Sequence, residues 1–158
     1  MDWSPSKWKL EGQKNIHRTS LGFATPLGNV LNFWGVLRSD DVHQQLACKT
    51  TINNGDLDNF SGLEMEIMGT PREFRFQLKP QTNNTMGIIH YEHTFSTTGK
   101  WNKIRLPFST AKFAILDNYP DNAGALSIGD IKSIEFVISD KKYNEPFLLS
   151  VRHIHGYK

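Results

Sequence analysis

The feature that most limits what this chain can fold into is a two-residue rhythm of apolar side chains in short runs. It is clearest in Glu73-Phe74-Arg75-Phe76-Gln77-Leu78, where Phe74, Phe76 and Leu78 alternate with Glu73, Arg75 and Gln77. Successive side chains of a β-strand point to opposite faces, so this spacing makes one face apolar and the other polar. Leu63, Met65 and Ile67 alternate with Glu64 and Glu66 in the same way. Ile134, Phe136 and Ile138 form a third row, and Phe147, Leu149 and Val151 a fourth. At least four strands therefore offer an apolar face to a common core.

Around these rows, Gly, Asn, Asp and Pro punctuate the chain as they do between antiparallel strands. The expected strands are Val30 to Leu37, Gln44 to Thr51, Leu63 to Met68, Glu73 to Leu78, Ile88 to Phe95, Trp101 to Leu106, Ile131 to Ser139 and Phe147 to Ile154. Turn chemistry fills the gaps at Asn53 to Asp56, Lys79 to Asn84, Thr97 to Lys100 and Asp140 to Glu145. The first twenty residues are expected to be irregular, with one short helical turn after Ser4 because Pro5 suits a first helical position. Ser109 to Ile128 is the longest loop, and Phe113, Ile115, Leu116 and Tyr119 are expected to pack it. Eight short strands without long helices imply an all-β fold, a two-sheet antiparallel β-sandwich or jelly roll, with a barrel as the alternative. No repeat or shift of composition divides the chain, so residues 1–158 read as a single domain.

The 158 residues contain 22% charged and 38% hydrophobic side chains, the balance of a globular protein. Eighteen Lys plus Arg against 16 Asp plus Glu leave a formal charge of +2, far from the concentrated positive field on which nucleic-acid binding draws. Cys48 is the one cysteine and reads as a small buried hydrophobe. The start of the chain shows no secretory leader, and no run approaches the roughly 20 apolar residues needed to cross a bilayer. Peripheral membrane association stays open. The expected setting is a cytoplasmic, reducing compartment, or an organelle matrix or stroma if a transit peptide has been removed. Asn59-Phe60-Ser61 and Asn83-Asn84-Thr85 match the glycosylation pattern but read as loops.

Linear signs of chemistry are missing. There is no Gly-rich phosphate cradle, no paired-Cys framework, no His-Glu-x-x-His and no nucleophile elbow around a Ser. His90 and His93, three apart, fall on opposite faces of a strand. His153 and His155 have the strand spacing for two imidazole ligands, but no third ligand is visible, so a polar strand end is preferred. Asp117 and Asp121 are read as turn residues rather than cation ligands. No cofactor or metal is expected, and the chain reads as a non-enzyme.

The polar rows remain. Glu64, Glu66, Arg75, Gln77, His90, Glu92, Lys103 and Arg105 all lie opposite the apolar rows of their strands and are expected on one open sheet surface, the candidate binding site. A solvated face of cross-strand charge pairs is the plain alternative. Trp34, Trp101 and Tyr91 are candidate stacking platforms for a sugar, although core positions are preferred for them.

In sequence order, Phe60-Ser61-Gly62-Leu63, Phe74 to Leu78, Tyr91 to Phe95, Trp101 to Phe108, Ile131 to Ile134 and Pro146 to Leu149 resemble one family, the complex I intermediate-associated protein 30 family. The resemblance covers residues 60 to 154. It implies a galactose-binding-like jelly roll, similar to some carbohydrate-binding modules, and a role as an assembly factor for NADH dehydrogenase or a photosynthetic membrane complex. Its partners would be protein subunits of that complex, and it brings no catalytic residues. The chain departs from the family in lacking a Gly-Gly-rich opening. Three roles follow as expectations: an assembly chaperone acting through protein binding, a carbohydrate or small-ligand module using the polar face, and, least supported, an enzyme built on a sandwich.

Overall fold

A computed structural model of the chain describes residues 2–11, 19–81, 89–115, 118–121 and 126–158. Eleven strands occur among them: β1 (Lys9–Leu10), β2 (Leu21–Leu27), β3 (Val30–Val36), β4 (Leu46–Thr51), β5 (Gly62–Gly69), β6 (Glu73–Pro80), β7 (Ile89–Ser96), β8 (Asn102–Pro107), β9 (Lys112–Ile115), β10 (Ile131–Ile138) and β11 (Pro146–Tyr157). A six-stranded sheet has the order β1-β4-β10-β6-β7-β9 and a five-stranded sheet the order β2-β3-β11-β5-β8. Every pairing is antiparallel. The fold is thus the expected two-sheet antiparallel β-sandwich.

All eight expected strands are present, with ends shifted by one to three residues. Three others escaped the alternation. β1 lies in the segment expected to be irregular, next to the 3₁₀ turn Pro5–Lys7, and carries the chain past Trp8, which is buried and stacks on Phe136 at 4.9 Å. β9 lies inside the segment read as a long loop, where the packing of Phe113 on the core was anticipated. β2 has its pattern reversed: Gly22 and Ala24 face inward, while Leu21, Phe23 and Leu27 are exposed. The loop residues Asn83 and Asn84, and Leu116 and Asp117, lie outside the described residues.

The core is built from the predicted rows. Leu63, Met65 and Ile67 of β5 and Phe147, Leu149 and Val151 of β11 face Phe74, Phe76 and Leu78 of β6 and Ile134, Phe136 and Ile138 of β10. Each such side chain contributes about 1.5–3 kcal/mol by leaving water. Phe147 bridges the layers, with Phe33 at 5.0 Å on its own sheet and Phe74 at 6.1 Å across the gap. Pro107 ends β8, an edge strand, where its missing N–H breaks no ladder. Its carbonyl accepts a hydrogen bond from His93 Nε2 at 2.8 Å, a link from one sheet to the other. Burial holds the His93 pKa below 6.5.

β11 contains a bulge. From Arg152 to His155 it advances three residues while β5 advances only from Glu66 to Glu64, and the extra length is taken up at His153, whose φ is +53°. Beyond it, Ile154 packs on the core, and Gly156 lies where a Cβ would come within 2.2 Å of the Phe60 ring.

Candidate functional site

The eight predicted site residues do not share one surface. Arg75, Gln77, His90 and Glu92 stand on the outer face of the six-stranded sheet, and Glu64, Glu66, Lys103 and Arg105 on the outer face of the five-stranded sheet. The physical reason is simple. Alternation tells which side chains leave the core, but a sandwich has two outsides, and sheet membership depends on pairings that lie far apart in sequence.

On the six-stranded sheet, pairing of Gln77 with Glu92 puts a polar cluster in the middle of the sheet. Glu92 Oε2 accepts hydrogen bonds from His90 Nε2 at 2.9 Å and Gln77 Nε2 at 3.1 Å, with Arg75 at 3.8 Å, while Oε1 accepts from the Tyr119 hydroxyl at 2.5 Å. With its Nε2 proton given to Glu92, His90 cannot also accept from Gln77, so the 3.3 Å Gln77–His90 approach is proximity only. Burial opposes the Glu92 charge, yet the bonds from His90 and Tyr119, with Arg75 nearby, bring its pKa down to about 2. In the same row, Glu135 pairs with Gln77 in register, and its carboxylate lies 2.7 Å from Lys79. Glu11 receives a 2.8 Å hydrogen bond from Lys49. Burial and the neighbouring Glu11 raise the Glu135 pKa despite Lys79, whereas Lys49 and Lys79 keep Glu11 charged against its own burial. Glu135 was legible as an outward residue between Ile134 and Phe136. Tyr119 was not, because its role depends on a segment folding back over the sheet.

On the five-stranded sheet, β8 and β11 flank β5 and aim cations at its acids. Glu64 accepts a 2.6 Å bond from Arg105 and pairs with Lys103 at 3.0 Å, and Glu66 accepts a 2.6 Å bond from Arg152. The bond from Arg105, then that from Lys103, lowers the Glu64 pKa to about 2, and Arg152 lowers that of Glu66. His155 Nε2 lies 3.3 Å from Glu64 and His153 Nδ1 3.4 Å from Glu66, so both imidazoles face carboxylates. No group of three residues able to hold a metal occurs among the described residues. The acids lie low while Lys103 and Arg105 project, their side chains 62% and 66% exposed. The outermost chemistry here is cationic.

At the other edge of the same face, on β2 and β3, runs an apolar strip. Phe23 pairs with Trp34 across β2 and β3, their rings stacked at 4.4 Å, and Leu148 follows in the same row. Trp34 also donates its indole N–H to Thr25 Oγ1 at 3.1 Å. Leu21 is 65%, Leu27 72%, Phe23 43% and Trp34 42% exposed. A groove of about 510 Å³ runs past Pro26, Leu27, Asn32, Trp34 and Leu148. The expected core position of Trp34 is therefore wrong: Leu31 and Phe33 take the inward positions of β3, and period two sends Trp34 out. Tyr91 is a core residue, edge-on to Phe113. Trp101 is covered by the Arg152 guanidinium, 4.1 Å from its ring centre.

This architecture is shared with known sugar-binding modules. The family 11 carbohydrate-binding module of the cellulosomal cellulase Lic26A-Cel5E of Clostridium thermocellum is 19% identical at a TM-score of 0.65, over 92% of this chain and 87% of that one. The same kind of module from Clostridium thermocellum, in complex with a β-1,3-1,4-mixed-linked tetrasaccharide, gives 20% identity and a TM-score of 0.66 over 92% and 88%. A family 30 module of the Clostridium thermocellum cellulase Cel9D-Cel44B gives 15% and 0.53 over 87% and 82%. At such identities the likeness concerns the fold. Among curated proteins, none matches the chain. The fold is a galactose-binding-like jelly roll, the architecture these modules also have. Residues 15–151 match the family model of complex I intermediate-associated protein 30, and the chain belongs to that family.

Proposed function

We propose that the protein is a non-catalytic assembly factor for a membrane electron-transfer complex of the NADH dehydrogenase type, holding a protein subunit on the outer face of its five-stranded sheet. The observation that carries this reading is the strip Leu21, Phe23, Leu27 and Trp34, exposed together on the outer face of β2 and β3, on the same sheet face as the projecting Lys103 and Arg105 of β8 but at its opposite edge. A cluster of large exposed apolar side chains on a sheet face is the usual mark of a protein-binding patch. Membership of the complex I intermediate-associated family supplies the class of client. No helix among the described residues is long and apolar enough to cross a membrane. A reducing compartment fits a chain whose one cysteine is buried and unpaired.

The test is affinity purification of the full chain from its native cell, followed by mass spectrometry. Subunits of a membrane electron-transfer complex are expected with the wild type, and at least tenfold fewer with Phe23→Ser combined with Trp34→Ser. Recovery of no such subunit, or equal recovery by the double variant, would refute the proposal.

A second reading, a carbohydrate or small-ligand module, is favoured by a different place, the cavity beside Tyr119 on the six-stranded sheet.

A further inference from the structure

We infer that the fork between β7 and β9 is a binding site for a short neutral oligosaccharide, an inference that rests on the small-ligand reading and gives it residues. The strands pair only where Ile89 to Glu92 meet Lys112 to Ile115. Beyond Glu92, β7 continues to Ser96 with β6 as its one partner. Where the strands part, a cavity of about 690 Å³ opens between Glu92, His93, Thr94, Thr110, Lys112 and Tyr119. That volume lies within the roughly 300–1,000 Å³ typical of small-ligand sites.

The lining selects the ligand. Tyr119 is 50% exposed, yet its hydroxyl is fixed on Glu92 at 2.5 Å, so the ring is a wall set in one orientation before any ligand arrives. A pyranose presents flat C–H faces and a rim of hydroxyls. The ring suits the face, and the Thr94 and Thr110 hydroxyls and the Lys112 ammonium suit the rim. Charge excludes the competitors. Glu92, the one acid among the described lining residues, is 3% exposed and its charge is already matched by its neighbours, so a cation gains little there. Lys112, the one lysine or arginine among the described lining residues, is a poor match for a phosphate group, which calls for several converging charged donors. A wholly apolar ligand would strip water from Thr94 and Lys112 without replacing their hydrogen bonds.

The test is an amide NMR titration of the full chain with three probes: the β-1,3-1,4-mixed-linked glucan tetrasaccharide, cellotetraose and tetragalacturonate. Each is taken to about 10 mM, where even affinities weaker than millimolar register. Shifts at Thr94, Thr110, Lys112 and Tyr119 are expected with at least one neutral sugar. Tyr119→Ala is expected to weaken binding at least tenfold and Tyr119→Phe, which keeps the ring, less. Thr94→Ala, at an exposed position of β7, serves as the second variant and is expected to weaken binding several-fold. Shifts confined to the Trp34 or Trp101 surroundings would overturn this site while leaving the small-ligand reading standing. No shift with any probe would end both. Response to tetragalacturonate alone would also overturn the inference, as the mark of simple attraction to Lys112.

Discussion

Arg72 is expected to be the most costly polar residue to remove. It sits just before β6 with a side chain only 3% exposed, and all of its bonds go to the turn between β10 and β11. Its Nε and Nη2 hold the two oxygens of Asp140 at 2.5 and 2.8 Å, Nη2 also reaches the Lys142 carbonyl at 2.9 Å, and Nη1 reaches the Glu145 carbonyl at 3.1 Å. That turn contains two non-glycine residues with positive φ, Lys141 and Asn144, a conformation that needs outside support. Truncation at Arg72 leaves the Asp140 charge buried and two carbonyls unpaired. Breaking a buried pair from one side costs about 3–5 kcal/mol, a large part of the roughly 5–15 kcal/mol a domain possesses. With a urea slope near 2 kcal/mol/M, Arg72→Ala should lower the unfolding midpoint by about 2 M at unchanged slope. Arg72→Lys should lose more than half as much, since an ammonium cannot span a carboxylate and two carbonyls. Arg72→Met with Asp140→Leu should recover part of the loss, the carbonyls remaining unpaired. Burial opposes the Asp140 charge, but the Arg72 bond and the Lys142 N–H outweigh it and hold the pKa below 3.8. The pair's contribution is therefore complete above pH 3.8 and disappears as pH falls through the lower folded value. A loss below about 1 kcal/mol for Arg72→Ala, or wild-type stability for Arg72→Lys, would refute this account.

Two further outcomes are expected. Gly156→Ala should cost about 1–3 kcal/mol in chemical denaturation, because the new methyl meets the Phe60 ring, and Phe60→Ala in the same chain should remove that penalty; an unchanged midpoint in Gly156→Ala would contradict the contact. His93, half-buried, contributes stability that is full above pH 6.5 and falls as pH drops through its lower folded pKa. His93→Gln should flatten the part of the stability profile that lies below pH 6.5, and an identical slope in both proteins would remove His93 from the explanation.

How much could be read beforehand varied with the information each strand carries. β5, β6, β10 and β11 were legible because large apolar residues recur at every second position and burial follows directly. β2 broke the rule because its inward positions are Gly22 and Ala24 while its outward ones are apolar, so the very feature that makes it a candidate interface disguised it. β9, only Lys112–Ile115, is too short to show a period. Each half of the site was present in the alternation, but the division between two faces was set by long-range pairing, such as β6 with β10 and β5 with β11. Tyr119 could not be assigned from spacing, because no strand period links it to Glu92.

The bulge at His153 acts as a change of phase. Up to Arg152, even-numbered residues of β11 point outward, and after the extra residue it is odd-numbered His155 and Tyr157 that do so. Removing one residue there would leave a ladder that still pairs, yet Ile154 would turn to water and His155 toward the core. Glu64 would lose the imidazole facing it, and Arg105 the Tyr157 ring beneath its guanidinium. The C-terminal half of β11 is thus tied to an insertion of one residue, and drift in chain length at that point is far less tolerable than drift in residue type.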